Sequence, residues 1–163
     1  MDIESLSRTI GELLQQRGLT LAVAESCTGG MLGAYITDIS GSSAYFEGGA
    51  IAYSNTAKER VLGVPAATLK HHGAVSRDTA IAMAREVRRL LRTDLALSVT
   101  GVAGPTGGTP QKPVGLVYVA LASAQEAQCK EFRWKGDRGQ NREWSARAAL
   151  EMLHAHLLSD GFE

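Results

Sequence analysis

Three potential nucleophiles stand in a row at Ser26, Cys27 and Thr28, with Gly29 and Gly30 directly after them. A hydroxyl at a strand-to-helix turn sits beside main-chain N–H groups that lack helical partners, and such groups stabilise an oxyanion. The same run is a competent helix cap, because Ser26 or Thr28 can accept from the first helical N–H groups. The serine is not in a G-x-S-x-G elbow. A nucleophile also needs a base. His71 and His72 fall in a polar stretch before Gly73, which predicts surface placement, and His154 and His156 come late in the last predicted helix. Lys58 follows Tyr53-Ser54-Asn55 by about one helical turn. A lysine serves as a neutral base only when desolvated or placed near another cation. Tyr53 is suited to donate a hydrogen bond or relay a proton. Glu25 is suited to hold the loop or to sit beside a ligand cation. On residue types alone, Ser26 with Lys58 competes with a Cys27 thiol working through a histidine.

A second glycine-rich loop runs from Gly101 through Gly104 to Gly107-Gly108. Neither loop has the G-x-G-x-x-G dinucleotide fingerprint or the G-x-x-x-x-G-K-[ST] phosphate loop. Metal ligation is equally unsupported: the sequence has no H-E-x-x-H, no C-x-x-C and no clustered His/Asp set. The expected chemistry is therefore metal-free hydrolysis or acid–base catalysis without a cofactor.

The elements that must position these residues follow from periodicity. Ile3, Leu6, Ile10, Leu13 and Leu14 lie at helical spacing, and Arg17-Gly18 ends that helix. Residues 19–24 form a short apolar run, a buried strand that delivers the Ser26 loop, and 31–39 follow as a helix. A second strand is expected at 49–53. Ser54-Asn55 then caps a short helix through Leu62, closed by Gly63 and Pro65. Ser76 caps a longer helix whose apolar face is Ala80, Ile81, Ala84, Val87, Leu90 and Leu91. A third strand at 95–100 enters the second glycine loop. Strands at 114–122 and 128–134 form a hairpin. A last helix at 138–158 has Trp144, Ala148, Met152 and Ala155 on one stripe. Helices alternating with strands, then a late strand pair, predict a three-layer α/β/α sandwich with a mixed, partly parallel sheet. Both glycine loops then lie at the carboxyl ends of strands, where open α/β sheets bind ligands.

Composition bounds the function. A chain of 163 residues has the length of one domain, here 1–163, and can bury a core without staples. Seventeen basic residues balance seventeen acidic ones, so no overall field recruits nucleic acid or an anionic membrane. The global balance hides a local asymmetry: residues 1–50 carry six acids against Arg8 and Arg17, whereas residues 130–147 carry six bases against three acids. The basic segment is a candidate anion site. Two cysteines, an acidic start and no long apolar run predict a cytoplasmic protein in a reducing compartment. Exposed apolar helix faces on a small sandwich predict a homodimer or larger homo-oligomer.

Seven motifs carry a resemblance beyond these readings. Residues 24–30 (AESCTGG), Tyr53-Ser54-Asn55 with Lys58, and His72-Gly73-Ala74-Val75-Ser76 all resemble signatures of the CinA C-terminal domain family. So do Thr100-Gly101-Val102-Ala103-Gly104-Pro105, Gly107-Gly108, Lys112-Pro113-Val114-Gly115, and Gly136-Asp137-Arg138 with Arg142. The resemblance spans roughly residues 5–158. One departure is Asn141, where the family usually has an aliphatic residue before the arginine. Family members of this stand-alone length resemble nicotinamide-nucleotide amidohydrolases, which convert nicotinamide mononucleotide and water to nicotinate mononucleotide and ammonia in pyridine-nucleotide recycling. The longer members carry an added N-terminal domain resembling molybdopterin-binding proteins, for which a chain of this length is expected to have no room. The resemblance implies Ser26 as nucleophile, Lys58 as base and Tyr53 as relay or orienter. It further implies substrate contacts from Glu25, Thr28, Gly29, Gly30, Thr100, Gly101, Gly104, Arg138 and Arg142. The arginines would hold the 5′-phosphate, main-chain N–H groups near 28–30 or 100–101 the oxyanion, and Glu25, Tyr35 or Tyr45 the pyridinium. The implied partner is a small-molecule nucleotide, with no metal and no cofactor. The competing reading, from another class, is a nucleotide-binding regulatory module with a degenerate amidase site.

Overall fold

The central strands alternate large and small side chains, and that alternation builds both faces of the sheet. In the computed structural model, which describes residues 1–159, β1 (Leu21–Glu25), β3 (Leu95–Gly101) and β4 (Leu116–Ala122) are almost wholly buried. Leu21, Val23, Leu95, Leu97, Val99, Val117, Val119 and Leu121 point to one face and share a core with α1 (Ile3–Arg17), α2 (Met31–Thr37) and α6 (Arg138–Ser159). Ala22, Ala24, Ala96, Ala120 and Ala122 point to the other, a floor of small residues that lets α5 (Arg77–Leu91) lie close. Ser98 Oγ on that floor donates to Ala80 O of α5 at 2.5 Å, so this buried hydroxyl is satisfied. Each fully buried Leu or Val contributes about 1.5–3 kcal/mol relative to exposure.

The sheet order is β2-β1-β3-β4-β5. The edge strand β2 (Phe46–Ile51) and β3 run parallel to β1, while β4 and the other edge, β5 (Ala127–Arg133), are antiparallel. The expected three-layer mixed sandwich is what forms. The expected caps form: Ser54 accepts from the Ala57 N–H and Ser76 from the Thr79 N–H; Asp2, which the sequence reading did not single out, caps α1 by accepting from the Ser5 N–H. No helix among the described residues is long and apolar enough to cross a membrane.

Four expectations need correction. The second strand starts three residues and ends two residues earlier than 49–53, because pairing with β1 in the register Leu21↔Phe46 to Glu25↔Ile51 decides it, and Tyr53 falls beyond the strand. His71 and His72, placed in a polar stretch before Gly73, close an unexpected helix, α4 (Ala66–His72), whose single buried apolar side chain, Leu69, leaves no periodic signal. On α6, Ala148 and Met152 are buried, but Trp144 and Ala155 are exposed; the buried face runs through Ser145, Ala149 and Leu153 instead. On α5, Leu90 and Leu91 are exposed and Met83 takes their place in the core.

Candidate active site

Three elements end at the same edge of the sheet and bring distant side chains together. β1 delivers Glu25 and Ser26. The segment after β2 delivers Tyr53 and then a short α3 (Asn55–Ala57), which widens without a break into a π-helical turn, Lys58–Leu62. Such turns are rare and recur at functional sites. Lys58 opens this turn and sends its side chain back under β1–β2, where it is 1% exposed. Its Nζ lies 2.8 Å from Ser26 Oγ and donates to Ala52 O and Tyr53 O, both at 2.9 Å. Ser26 Oγ is 3.3 Å from Tyr53 O. Burial disfavours the ammonium and lowers the Lys58 pKa from 10.5 to about 8. The same burial pushes the neighbouring Cys27 thiol up to about 11, so it is un-ionised at neutral pH. The geometry pairs Ser26 Oγ with Lys58 Nζ and gives the Cys27 thiol no such contact. No histidine lines the cavity around Ser26; His72 instead faces Asp78 at 3.4 Å on the exterior.

That cavity has a volume of about 200 Å³ and is lined by Ser26, Cys27, Tyr53, Lys58, Ala74, Val75, Thr100, Gly101, Ala103 and Arg138. Its two charged side chains, Lys58 and Arg138, are both cations, so it favours an anionic group or a developing oxyanion. Arg138, in the first turn of α6, donates from Nη1 to Gly104 O at 2.9 Å, and its Nη2 lies 3.4 Å from the Tyr53 hydroxyl. The Tyr53 ring stands 61% exposed at the mouth, while its carbonyl, inside, holds Lys58. Gly104 has φ +84°, and a Cβ there would collide with Val114 Cγ1, so only glycine lets the second loop fold down beside the cavity.

Other residues expected to touch substrate are committed to the loops themselves. The Glu25 carboxylate, 2% exposed, accepts from Thr28 Oγ1 at 2.7 Å and from the N–H groups of Gly30, Leu32 and Gly33 at 3.2, 2.9 and 2.9 Å. It caps α2, whose own N-cap Gly30 has no side chain to do so. Arg142 donates from Nε to Cys27 O and from Nη2 to Thr28 O, both at 3.0 Å, and does not line the cavity. Thr100 Oγ1 donates to Ala74 O at 2.8 Å. Gly29 N donates to Ser26 O and Gly30 N to Glu25, so neither is free for an oxyanion. Tyr45 packs under α1 against Gly11, away from the cavity, and Tyr35 on α2 does not line it either.

Sequence reasoning missed two things. Asn141, noted only as a departure, is 1% exposed; it donates from Nδ2 to Ala103 O and accepts from Gly136 N, both at 3.0 Å, tying the second glycine loop to α6. A polar residue one position before Arg142 and three after Arg138, where an aliphatic residue is usual, was the available signal. The wall formed by Ala74 and Val75 was named as a motif but given no place in the site.

Fold and site together define an α/β/α sandwich with a buried serine–lysine pair at the carboxyl edge of its parallel strands. The CinA C-terminal domain model matches residues 3–157, and the chain belongs to that family. It is 54% identical over 158 residues to a CinA-like protein of Syntrophus aciditrophicus, covering 96% of this chain and 37% of that protein. A putative competence-damage inducible protein of Halothermothrix orenii is also 54% identical, over 96% of this chain and 38% of its own length. The chain thus spans under two-fifths of the curated relatives it matches. A solved competence/damage inducible protein from Agrobacterium tumefaciens superposes with TM-score 0.92 at 43% identity, over 95% of both chains. A CinA superfamily protein from Klebsiella pneumoniae does so with TM-score 0.94 at 31% identity, over 98% and 99%.

Proposed function

We propose that the chain hydrolyses the carboxamide of nicotinamide mononucleotide to nicotinate mononucleotide and ammonia, a step in cytoplasmic pyridine-nucleotide recycling. The observation that carries the reading is the 2.8 Å contact between the buried, pKa-lowered Lys58 and Ser26 Oγ. A binding module with a degenerate site has no need to bury a lysine against a serine, since an unneutralised buried cation is destabilising.

The contacts suggest how the pair works. Ala52 O and Tyr53 O take two N–H bonds of a neutral Lys58 amine, which leaves its lone pair for the Ser26 hydroxyl. Lys58 removes the Oγ proton as Oγ attacks the carboxamide carbon. The Cys27 N–H, next after the nucleophile in sequence, serves as an oxyanion donor; each such donor is typically worth about 3 kcal/mol of barrier. The Lys58 ammonium returns its proton to the amide nitrogen, the C–N bond breaks and ammonia leaves. Water, deprotonated by Lys58, then cleaves the acyl-serine ester and restores Ser26. Arg138 holds the substrate's phosphate at the mouth, beside the Tyr53 ring. Glu25, Thr28 and Arg142 act by fixing the loop that carries Ser26, and Thr100 by fixing the facing wall.

Ammonia release from nicotinamide mononucleotide by the purified protein tests the function, with nicotinamide riboside alongside. Turnover of the mononucleotide with at least tenfold lower kcat/KM for the riboside supports it. No ammonia from either, in correctly folded protein, overturns it.

A further inference from the structure

The Lys112-Pro113-Val114-Gly115 run takes no part in the chemistry above, yet its lysine ends beside the cavity wall. The 102–115 segment leaves β3 at the cavity, passes through exposed residues at 105–111 and returns to β4. On the return, Lys112 places its ammonium on His72 O, at the carboxyl end of α4. The residues that follow, Ala74 and Val75, are the wall.

Each carbonyl leading into that wall is held from outside. Lys112 takes His72 O; Ser76 Oγ and Thr79 Oγ1 take Gly73 O at 3.0 and 2.6 Å; Thr100 Oγ1 takes Ala74 O at 2.8 Å. A trans peptide is planar with its C=O and N–H opposed, so fixing Gly73 O and Ala74 O also fixes the Ala74 and Val75 N–H groups. Ser76, Thr79 and Thr100 belong to the elements flanking the wall, whereas Lys112 reaches it from the 102–115 segment. Gly73 makes the reach possible: at φ +78° a Cβ would lie 2.7 Å from Lys112 Nζ, and glycine leaves that space open. Without the lysine, two walls of a small cavity would be ordered separately, and binding would have to supply that ordering.

We propose that Lys112 is a positioning residue for substrate: it straps the 102–115 segment to the 72–75 wall and so pre-sets the wall that faces Ser26. The strap itself is read from contacts alone, and its effect on binding rests on the amidase reading. Lys112 bonds neither Ser26 nor Lys58, so its removal acts on affinity and leaves the chemical step intact.

Lys112→Met and Lys112→Arg test this with two readouts. In steady-state assays on nicotinamide mononucleotide, Lys112→Met raises KM at least fivefold with kcat within twofold, and Lys112→Arg, whose guanidinium can still donate to His72 O, returns KM to within twofold of wild type. In hydrogen exchange on the substrate-free protein, the Gly73 amide, bonded to Leu69 O at 2.9 Å, exchanges at least fivefold faster in Lys112→Met and is again rescued by arginine. Unchanged exchange overturns the strap whatever the substrate. Faster exchange with wild-type KM overturns the positioning role and leaves Lys112 a helix cap. If wild type itself releases no ammonia, the amidase reading fails with the binding role that rests on it, and the exchange result alone decides the strap.

Discussion

Lys58 is the residue whose titration the structure makes measurable. As a base it must be neutral. At its ordinary pKa of 10.5 about 0.03% of the amine would be neutral at pH 7; at about 8, roughly a tenth is, a gain of about 300-fold in active base. The sign follows directly: the active form accumulates as pH rises. kcat/KM for nicotinamide mononucleotide is therefore expected to climb with a slope near one in log–log form below pH 8 and to level off above about pH 9, a rise of roughly tenfold from pH 7 to the plateau. Continuous ammonia detection across pH 6–10 gives the profile, with circular dichroism confirming that the fold persists. Lys58→Arg is expected to abolish the rise and nearly all turnover, because a guanidinium does not deprotonate in this range. A flat profile from pH 6 to 9 or substantial activity in Lys58→Arg would refute lysine as the base, and a rise still unbroken at pH 10 would refute its lowered pKa.

Further outcomes follow from the same contacts. Between about pH 8 and 10.5 an unfolded Lys58 binds a proton that the folded one lacks, so its burial costs about 3 kcal/mol below pH 8 and the cost fades as pH rises through that window; the stability of wild type relative to Lys58→Met, from urea unfolding, should climb from pH 8 to 10.5. Arg138→Ala should raise KM at least tenfold, since a charge-assisted contact is worth about 1.5–3 kcal/mol, while Arg142→Ala should lower kcat more than it raises KM, because its bonds go to Cys27 O and Thr28 O; steady-state kinetics separate the two. Gly104→Ala should lose activity and thermal stability together, given the collision with Val114. Exhaustive EDTA treatment should leave kcat unchanged, and loss restored by zinc would contradict the metal-free scheme.

Much of the fold was legible because its signals are local. The Leu/Val–Ala alternation of β1 and β3, the caps at Ser54 and Ser76, and the Arg17-Gly18 stop each follow from a few neighbouring residues. β2 and α4 were not, since Gly48-Gly49 and a helix with one buried leucine take their form from partners distant in sequence. The site divides the same way. Types and motifs named Ser26, Lys58 and Arg138, and the fold brings these three to one cavity. They did not show that Glu25 and Arg142 spend their hydrogen bonds on loop backbone, because a buried carboxylate capping a helix and one facing a ligand look alike in sequence. Only the three-dimensional path of the loop makes that distinction.

The central claim, that Ser26 is the nucleophile and Lys58 its base, is tested most directly by kcat of Ser26→Ala on nicotinamide mononucleotide, with folding verified. The account predicts a fall of at least a thousandfold, with Ser26→Ala/Lys58→Ala little worse than the single variant, since members of one catalytic unit are not additive. Retention of more than about a tenth of wild-type kcat, under ~1.4 kcal/mol of barrier, would contradict it and return Ser26 to the role of a loop residue.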